Sequence, residues 1–277
     1  MFLIHNNNME KKIVFIIGAS SGIGYEIAKQ LVAKNYIVYN GSRNKCEIAG
    51  VINHTVDVTN PHTIKNAFEK IIKAHGNIDV FIYSAGFSMA APFEVTEEKD
   101  YRYLFEVNFF GLVKTLEYVI PKMRDQQHGQ IVGISSMGGI LPIVFDPFYS
   151  ASKAAMNMLL RELSIELDPY GIKVTSIMPG GTATEFTRKR KIYDTKKIKC
   201  YDDKLTKAIA ALAETEQGGM TAMDVASEIV KVIEKQQSTP LIPIGTMNKV
   251  YSFGFKVLPQ PLISYFNKIK YHQIDKR

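Results

Sequence analysis

KKIVFIIGASSGIGYEIAKQLVAKN, Lys11 to Asn35, is the stretch whose reading decides the fold. It opens as a continuous apolar, β-branched run that closes on a glycine, the pattern of a strand buried on both faces. It ends with Ile23, Ile27, Leu31 and Val32 at helical spacing. Between the two lies GASSGIG, with Gly18, Gly22 and Gly24. Strand, glycine-rich turn and helix in that order are the first half of a strand–helix–strand unit. Glycine lets the backbone turn tightly and come close to a ligand. The helix N-terminus behind it offers unbonded N–H groups to an anion such as a pyrophosphate.

The same alternation continues outward along the chain. YIVYNGS, VINHTVDV, NIDVFIYSAG, GQIVGISS and IKVTSIMPG read as strands, with a short last one around Thr239 to Ile244. Helical patterns run from Pro61 through PHTIKNAFEKIIKAH and along EKDYRYLFEVNFFGLVKTLEYVIPKM. Two more run from Tyr149 to about Asp168, where Pro169 and Gly171 stop the helix, and from about Ala222 to Glu234. Continuous apolar strands separated by helices predict an α/β fold, a doubly wound parallel sheet with helices on both faces. No linker or internal repeat divides it. The expected organisation is a disordered lead over 1–10, a single nucleotide-binding domain over 11–245 and a C-terminal extension over 246–277.

In such sheets the ligand lies at the carboxyl ends of the strands, and those ends carry fitting residues. The second strand ends in Ser42 and Arg43, where an NAD site usually has an acid for the ribose 2′-hydroxyl. Arginine suits a 2′-phosphate through paired, charge-assisted hydrogen bonds, so the expected cofactor is NADP(H). Asp57 and Val58 follow the third strand, and Ser84, Ala85 and Gly86 the fourth. Ser135 and Ser136 follow the fifth; Pro179, Gly180, Thr182 and Thr184 follow the sixth. Thirteen residues after Ser136 stands Tyr149, with Lys153 one helical turn on. A lysine beside a phenol favours the phenolate, so it is expected to lower the tyrosine pKa from its usual ~10.

Composition narrows the alternatives. The chain has 277 residues, 46% hydrophobic and 22% charged, an ordinary globular balance. Cys46 and Cys200 stand far apart, and the six histidines form no ligand pattern. A reducing compartment is expected, with no disulfide framework and no metal site. MFLIHNNNMEKK has too short an apolar run for a signal peptide, and Met9 is an alternative start. No run reaches the ~20 apolar residues of a membrane span. The net charge of +7 is concentrated in Thr187 to Lys199, with seven bases and one acid, and in Lys249 to Arg277, with six bases and one acid. No recognition motif accompanies these clusters, so nucleic acid is not an expected partner.

The residues GASSGIG, DVT at Asp57, SAG at Ser84, the asparagine of EVNFFG, ISS at Ile134, YSASK at Tyr149 and PGGTATEF at Pro179 together resemble the short-chain dehydrogenase/reductase family, over roughly Lys11 to Ile244. The resemblance implies a Rossmann-type fold that moves hydride between NAD(P) and an alcohol or ketone. It makes Tyr149 the acid/base and Lys153 the residue that binds the nicotinamide ribose and tunes Tyr149. It gives Ser136 the substrate carbonyl and Asn108 a water linking Lys153 to solvent. The cofactor would run along Gly18, Ser20, Ser21, Gly22, Ile23 and Gly24, then Arg43, Asp57 and Val58, Ser84 to Gly86, and Pro179, Gly180, Thr182 and Thr184, besides Tyr149 and Lys153. The chain departs from the family at Ser84, where asparagine is usual, and at Thr182, where an aliphatic residue is more common. Similar proteins pair through the Asn108 and Tyr149 helices into dimers or tetramers.

Phe87, Met89, Met137, Ile143, Phe145, Phe148 and Phe186 lie near the expected site in the sequence and suit an apolar ketone or alcohol. Phe87, Met137, Phe145 and Phe186, with Ser136 and Tyr149, are the expected substrate contacts. The segments resemble members acting on steroids, retinoids or long-chain keto-lipids. A basic lid, Arg188 to Lys199, would alternatively suit the acidic carrier of a 3-oxoacyl-thioester. A catalytically silent NADP(H) sensor is the third reading. The extension mixes aromatics with lysines, and Leu262 to Tyr271 can form a short amphipathic helix. Packing on the domain, a sister subunit or an anionic membrane surface would each use such a segment. The expected location is cytoplasmic, with peripheral membrane contact an option.

Overall fold

A computed structural model describes residues 11–184, 186, 190–193 and 199–271. The elements run β1 (Ile13–Ile17), α1 (Gly22–Ala33), β2 (Ile37–Ser42), β3 (Val51–Thr55), α2 (Pro61–His75), β4 (Val80–Tyr83), α3 (Glu98–Phe105), α4 (Gly111–Gln126), β5 (Gly129–Ile134), α5 (Pro147–Glu166), β6 (Ile172–Met178), α6 (Lys199–Gln217), α7 (Ala222–Glu234), β7 (Leu241–Pro243), α8 (Thr246–Val257) and α9 (Gln260–Lys270). The seven strands form one sheet in the order β7-β6-β5-β4-β1-β2-β3, every pair parallel. The order reverses between β1 and β4, which opens the crevice where ligands of doubly wound sheets bind.

Period-two alternation in β1 divides the core. Ile13, Phe15 and Ile17 pack with Phe81, Tyr83, Leu116 and Leu160 under α2, α4 and α5. Val14 and Ile16 pack with Ile27, Leu31, Ile229 and Val230 under α1 and α7. Each buried side chain of this size contributes about 1.5–3 kcal/mol. Both faces are therefore covered, which is why the strands read as unbroken apolar runs.

Local chemistry sets the helix ends. Asn60 accepts from the His62 N–H, Pro61 occupies the first turn, and Gly76 closes α2 in the left-handed region. Between α3 and α4 the helix winds as a π turn over Glu106–Phe110, which places Asn108 at an irregularity in an otherwise continuous rod. π turns of this kind are common at functional positions. The long helix read over 98–123 is thus three segments rather than one. Helices α6 and α8 were not legible as such in the sequence. Pro259 separates α8 from α9 and Pro261 stands in the first turn of α9, which matches the expected amphipathic helix.

Candidate active site

Every expected strand end opens into a single cleft of about 630 Å³. At its floor, Gly18 has φ +96°, and a Cβ there would stand 2.7 Å from the Ala85 backbone nitrogen. A Cβ on Gly24 would stand 2.2 Å from the Gly18 carbonyl oxygen. Only bare backbone fits at this crossing of β1, α1 and the β4 loop. Ser21 is the N-cap of α1, but its side chain makes no cap hydrogen bond. The first-turn amides of α1 are therefore not claimed by a cap, and anions favour that position. Gly18, Ser20, Ser21, Gly22 and Ile23 line the cleft; Gly24 stands behind it as a packing residue.

Arg43, Asp57, Val58, Ser84, Ala85 and Gly86 line the same cleft. Arg43 is exposed, and its guanidinium donates to the Tyr103 hydroxyl at 3.3 Å. Asp57 accepts from the Thr59 N–H at 2.9 Å and the Thr59 hydroxyl at 2.8 Å. The Thr59 amide is the larger reason its pKa lies below the usual carboxylate value. Its acid is thus spent on its own loop. On the far side Pro179, Gly180, Thr182 and Thr184 complete the wall. The Thr184 hydroxyl accepts from the Phe186 N–H, holding Phe186 over Tyr149 with ring centroids 5.7 Å apart.

The catalytic candidates converge at the centre. Tyr149 and Lys153 are buried on one face of α5, with the ammonium 5.8 Å from the phenol ring centre. Lys153 Nζ donates to the Ile134 carbonyl at 2.9 Å. The Ser136 hydroxyl lies close enough to the Tyr149 phenol to favour its ionised form, and its Oγ accepts from the Gly138 N–H at 2.9 Å. Asn108 is buried one layer back. It bridges to both backbone groups of Phe87 at 3.0 Å and donates to Ser152 at 3.1 Å. Gly86 is wedged between Asn108 and Lys153, 3.2 and 3.5 Å from where its Cβ would be.

One expectation is corrected. Burial raises the Tyr149 pKa, and Asp146 and Glu216 raise it further; the Ser136 hydroxyl and Arg190 pull it back only in part. The Lys153 ammonium is itself desolvated, with its pKa pulled down to about 8. In the ligand-free chain the phenol is held neutral, the form that donates a proton.

Of the expected apolar residues, Met89, Phe87, Ile143, Phe148 and Phe186 gather around Tyr149 together with Leu104, and Met137 lines the cleft. Phe145 does not. Its φ of +63° turns the ring away from the cleft onto Tyr201 and a cluster with Ala208, Leu212 and Tyr271. Phe148 stacks on Tyr101, centroids 4.6 Å apart, outside the lining.

The sequence reading missed the outer wall, formed by Asp146, Arg190, Leu212, Glu216, Asn248, Tyr251, Asn267, Lys270 and Tyr271. Arg190, expected in an exposed basic lid, is buried and bonded to Glu216 and to Ser88. Residues 188, 189 and 194–198 of that lid lie outside the described residues. Only Asp146, three positions before Tyr149, left a signal that spacing could have caught. Arg190 comes from the loop between β6 and α6, and the others from α6, α8 and the end of α9, which only the tertiary fold brings here.

The match to known proteins follows this geometry. A family model described as short chain dehydrogenase fits residues 12–194. The chain belongs to the short-chain dehydrogenase family. A 3-ketodihydrosphingosine reductase of Bacteroides thetaiotaomicron is 32% identical over 266 residues, 95% of this chain and 99% of that one. An estradiol 17-beta-dehydrogenase 2 of Mus musculus is 33% identical over 201 residues, 67% of this chain and 52% of that one. A short-chain dehydrogenase structure from Streptomyces avermitilis superposes with a TM-score of 0.79 at 25% identity, covering 95% and 98% of the two chains. The family is one of oxidoreductases that use a nicotinamide cofactor and act on alcohols and ketones. Among the described residues no helix is long and apolar enough to cross a membrane.

Proposed function

We propose that the chain is an NADPH-dependent reductase of a long-chain keto-lipid, with 11–245 as its catalytic unit and Tyr149 as the proton donor. The observation that carries this is one cleft that holds Ser136, Tyr149 and Lys153 together with Arg43 and with the apolar side chains of Phe87, Ile143 and Phe186. The bare backbone at Gly18 and Gly24 and the uncapped start of α1 fit a pyrophosphate. The exposed Arg43, with no acid after β2, fits a 2′-phosphate. The nicotinamide supplies the hydride when bound. Ser136 and Tyr149 then hold the carbonyl oxygen as negative charge builds on it, and Tyr149 gives up its proton there. Lys153, poised near neutral pH, binds the ribose hydroxyls and replaces that proton. Asn108 keeps the Phe87 and Ser152 segments aligned around Lys153.

The substrate class follows from the apolar cluster around Tyr149 and from the relative that aligns along nearly the whole chain, whose name gives 3-ketodihydrosphingosine. Helices α8 and α9 close the pocket with Tyr251 and Tyr271. Outward they expose Met247, Val250, Phe253, Val257 and Phe266 among lysines and no acids. That face suits peripheral contact with an anionic membrane from which such a lipid would arrive. Phe110, at the end of the π turn that leads into α4, and Met158 and Ile165 on α5 stand exposed and suit a homodimer or homotetramer through those helices. NADPH oxidation against a panel of 3-keto-sphingoid, steroid, retinal and acetoacetyl-thioester substrates tests the reading. Turnover confined to the thioester would replace it with the oxoacyl reductase, and NADPH binding without any turnover would favour the sensor.

A further inference from the structure

Asp146 is 2% exposed, and among the described residues neither carboxylate oxygen has a hydrogen-bond partner. It occupies the N-cap position of α5, where aspartate normally accepts a backbone N–H, yet it makes no such bond. Instead it lines the cleft beside Tyr149. The chain accepts strain to put it there, since Phe145 immediately before it sits at φ +63°, a costly conformation for an aromatic residue. Burial lifts its pKa to about 7, against the pull of Arg190 and, less strongly, of the Ser88 hydroxyl and the Met89 and Tyr149 amides. Arg190, the cation beside it, is already bonded to Glu216 and Ser88. Burying an unpaired acid is expensive, and such groups in clefts mark binding positions.

The Asp146 carboxylate lies close enough to the Tyr149 phenol to raise its pKa, and both residues line one cleft. A ligand whose carbonyl oxygen meets Tyr149 therefore presents to Asp146 whatever stands on the adjoining carbon. A cation there would complete a group of two acids and one arginine. Resting on the keto-lipid reading above, we propose that Asp146 is the receptor for a protonated amine on the carbon next to the substrate carbonyl, so that the enzyme selects 2-amino ketones over plain ketones. A 3-keto-sphingoid base carries that amine. The hydrogen bond is charge-assisted and shielded from water, worth roughly 10- to 100-fold in affinity.

The test is calorimetric titration of the full-length protein, saturated with NADP, with a short-chain dihydrosphingosine and with the 1,3-diol of the same length lacking the amine. The expected result is at least about 10-fold tighter binding of the amine by the wild-type protein, with that ratio falling to within about threefold in Asp146→Asn. Equal binding of the two ligands by the wild-type protein overturns the proposal without any variant. So does binding of neither ligand, or an unchanged ratio in Asp146→Asn. NADPH oxidation with 3-ketodihydrosphingosine is run in parallel. Turnover of this ketone without amine selectivity leaves the keto-lipid reading standing and removes the role of Asp146. Amine selectivity without turnover does the reverse.

Discussion

Replacing Lys153 by methionine should make the ligand-free protein more stable while abolishing turnover. Lys153 is 4% exposed, and desolvation pulls its pKa from 10.5 down to about 8. At about 1.4 kcal/mol per pH unit, keeping the ammonium charged in the folded chain costs about 3 kcal/mol at neutral pH. Methionine has similar length and carries no charge. It forfeits the hydrogen bond to the Ile134 carbonyl, which costs about 1–2 kcal/mol. The net expectation is a gain of about 1–2 kcal/mol, or roughly 3–6 °C in Tm. The sign with pH follows from proton counts. Between pH 8 and 10.5 the unfolded chain holds a proton on this lysine that the folded chain has released, so wild-type stability rises with pH there. The cost is fully present below pH 8. Urea unfolding of both apo proteins from pH 7 to 10 measures this, and the advantage of Lys153→Met should shrink as pH rises. A variant less stable than wild type at pH 7, or a difference independent of pH, would refute the reasoning.

Arg43→Ala should weaken NADPH binding about 10- to 100-fold and leave NADH within about threefold, read by fluorescence titration of each cofactor. An equal loss for both would mean that Arg43 does not read the 2′-phosphate. Gly18→Ala places a Cβ 2.7 Å from the Ala85 backbone at a positive φ and should cost about 1–3 kcal/mol of stability together with most cofactor affinity; thermal melting with and without NADPH checks both. Tyr271→Ala removes a side chain 3% exposed against Ala208, Ala211 and Leu212. It should raise KM for a long-chain ketone several-fold with little change in NADPH affinity, which steady-state kinetics separate.

Legibility followed the range of the physics. The Gly18 turn, the helix from Pro61 to His75 and the strand ends are set by neighbours in the chain, so spacing and turn chemistry reveal them. Tyr149, Lys153 and Ser136 are readable because one helix and one strand end carry them. The outer wall is different. Arg190 looks like one more base in a solvated run until Glu216, from a helix twenty-six residues on, pairs with it. Tyr271 reads as a surface aromatic until α9 turns it inward. Phe145 misled because its direction depends on a positive φ that composition does not encode. The lysine's influence on Tyr149 was read from spacing alone, whereas burial, a tertiary quantity, sets the direction.

The most direct measurement is single-turnover oxidation of bound NADPH by 3-ketodihydrosphingosine in the wild-type protein and in Tyr149→Phe. The account predicts rapid oxidation in the wild type, a rate at least about 10²-fold lower in the variant, and NADPH affinity within about twofold between them. A Tyr149→Phe protein that oxidises NADPH at the wild-type rate would contradict the account, since the phenol would then not be the proton donor.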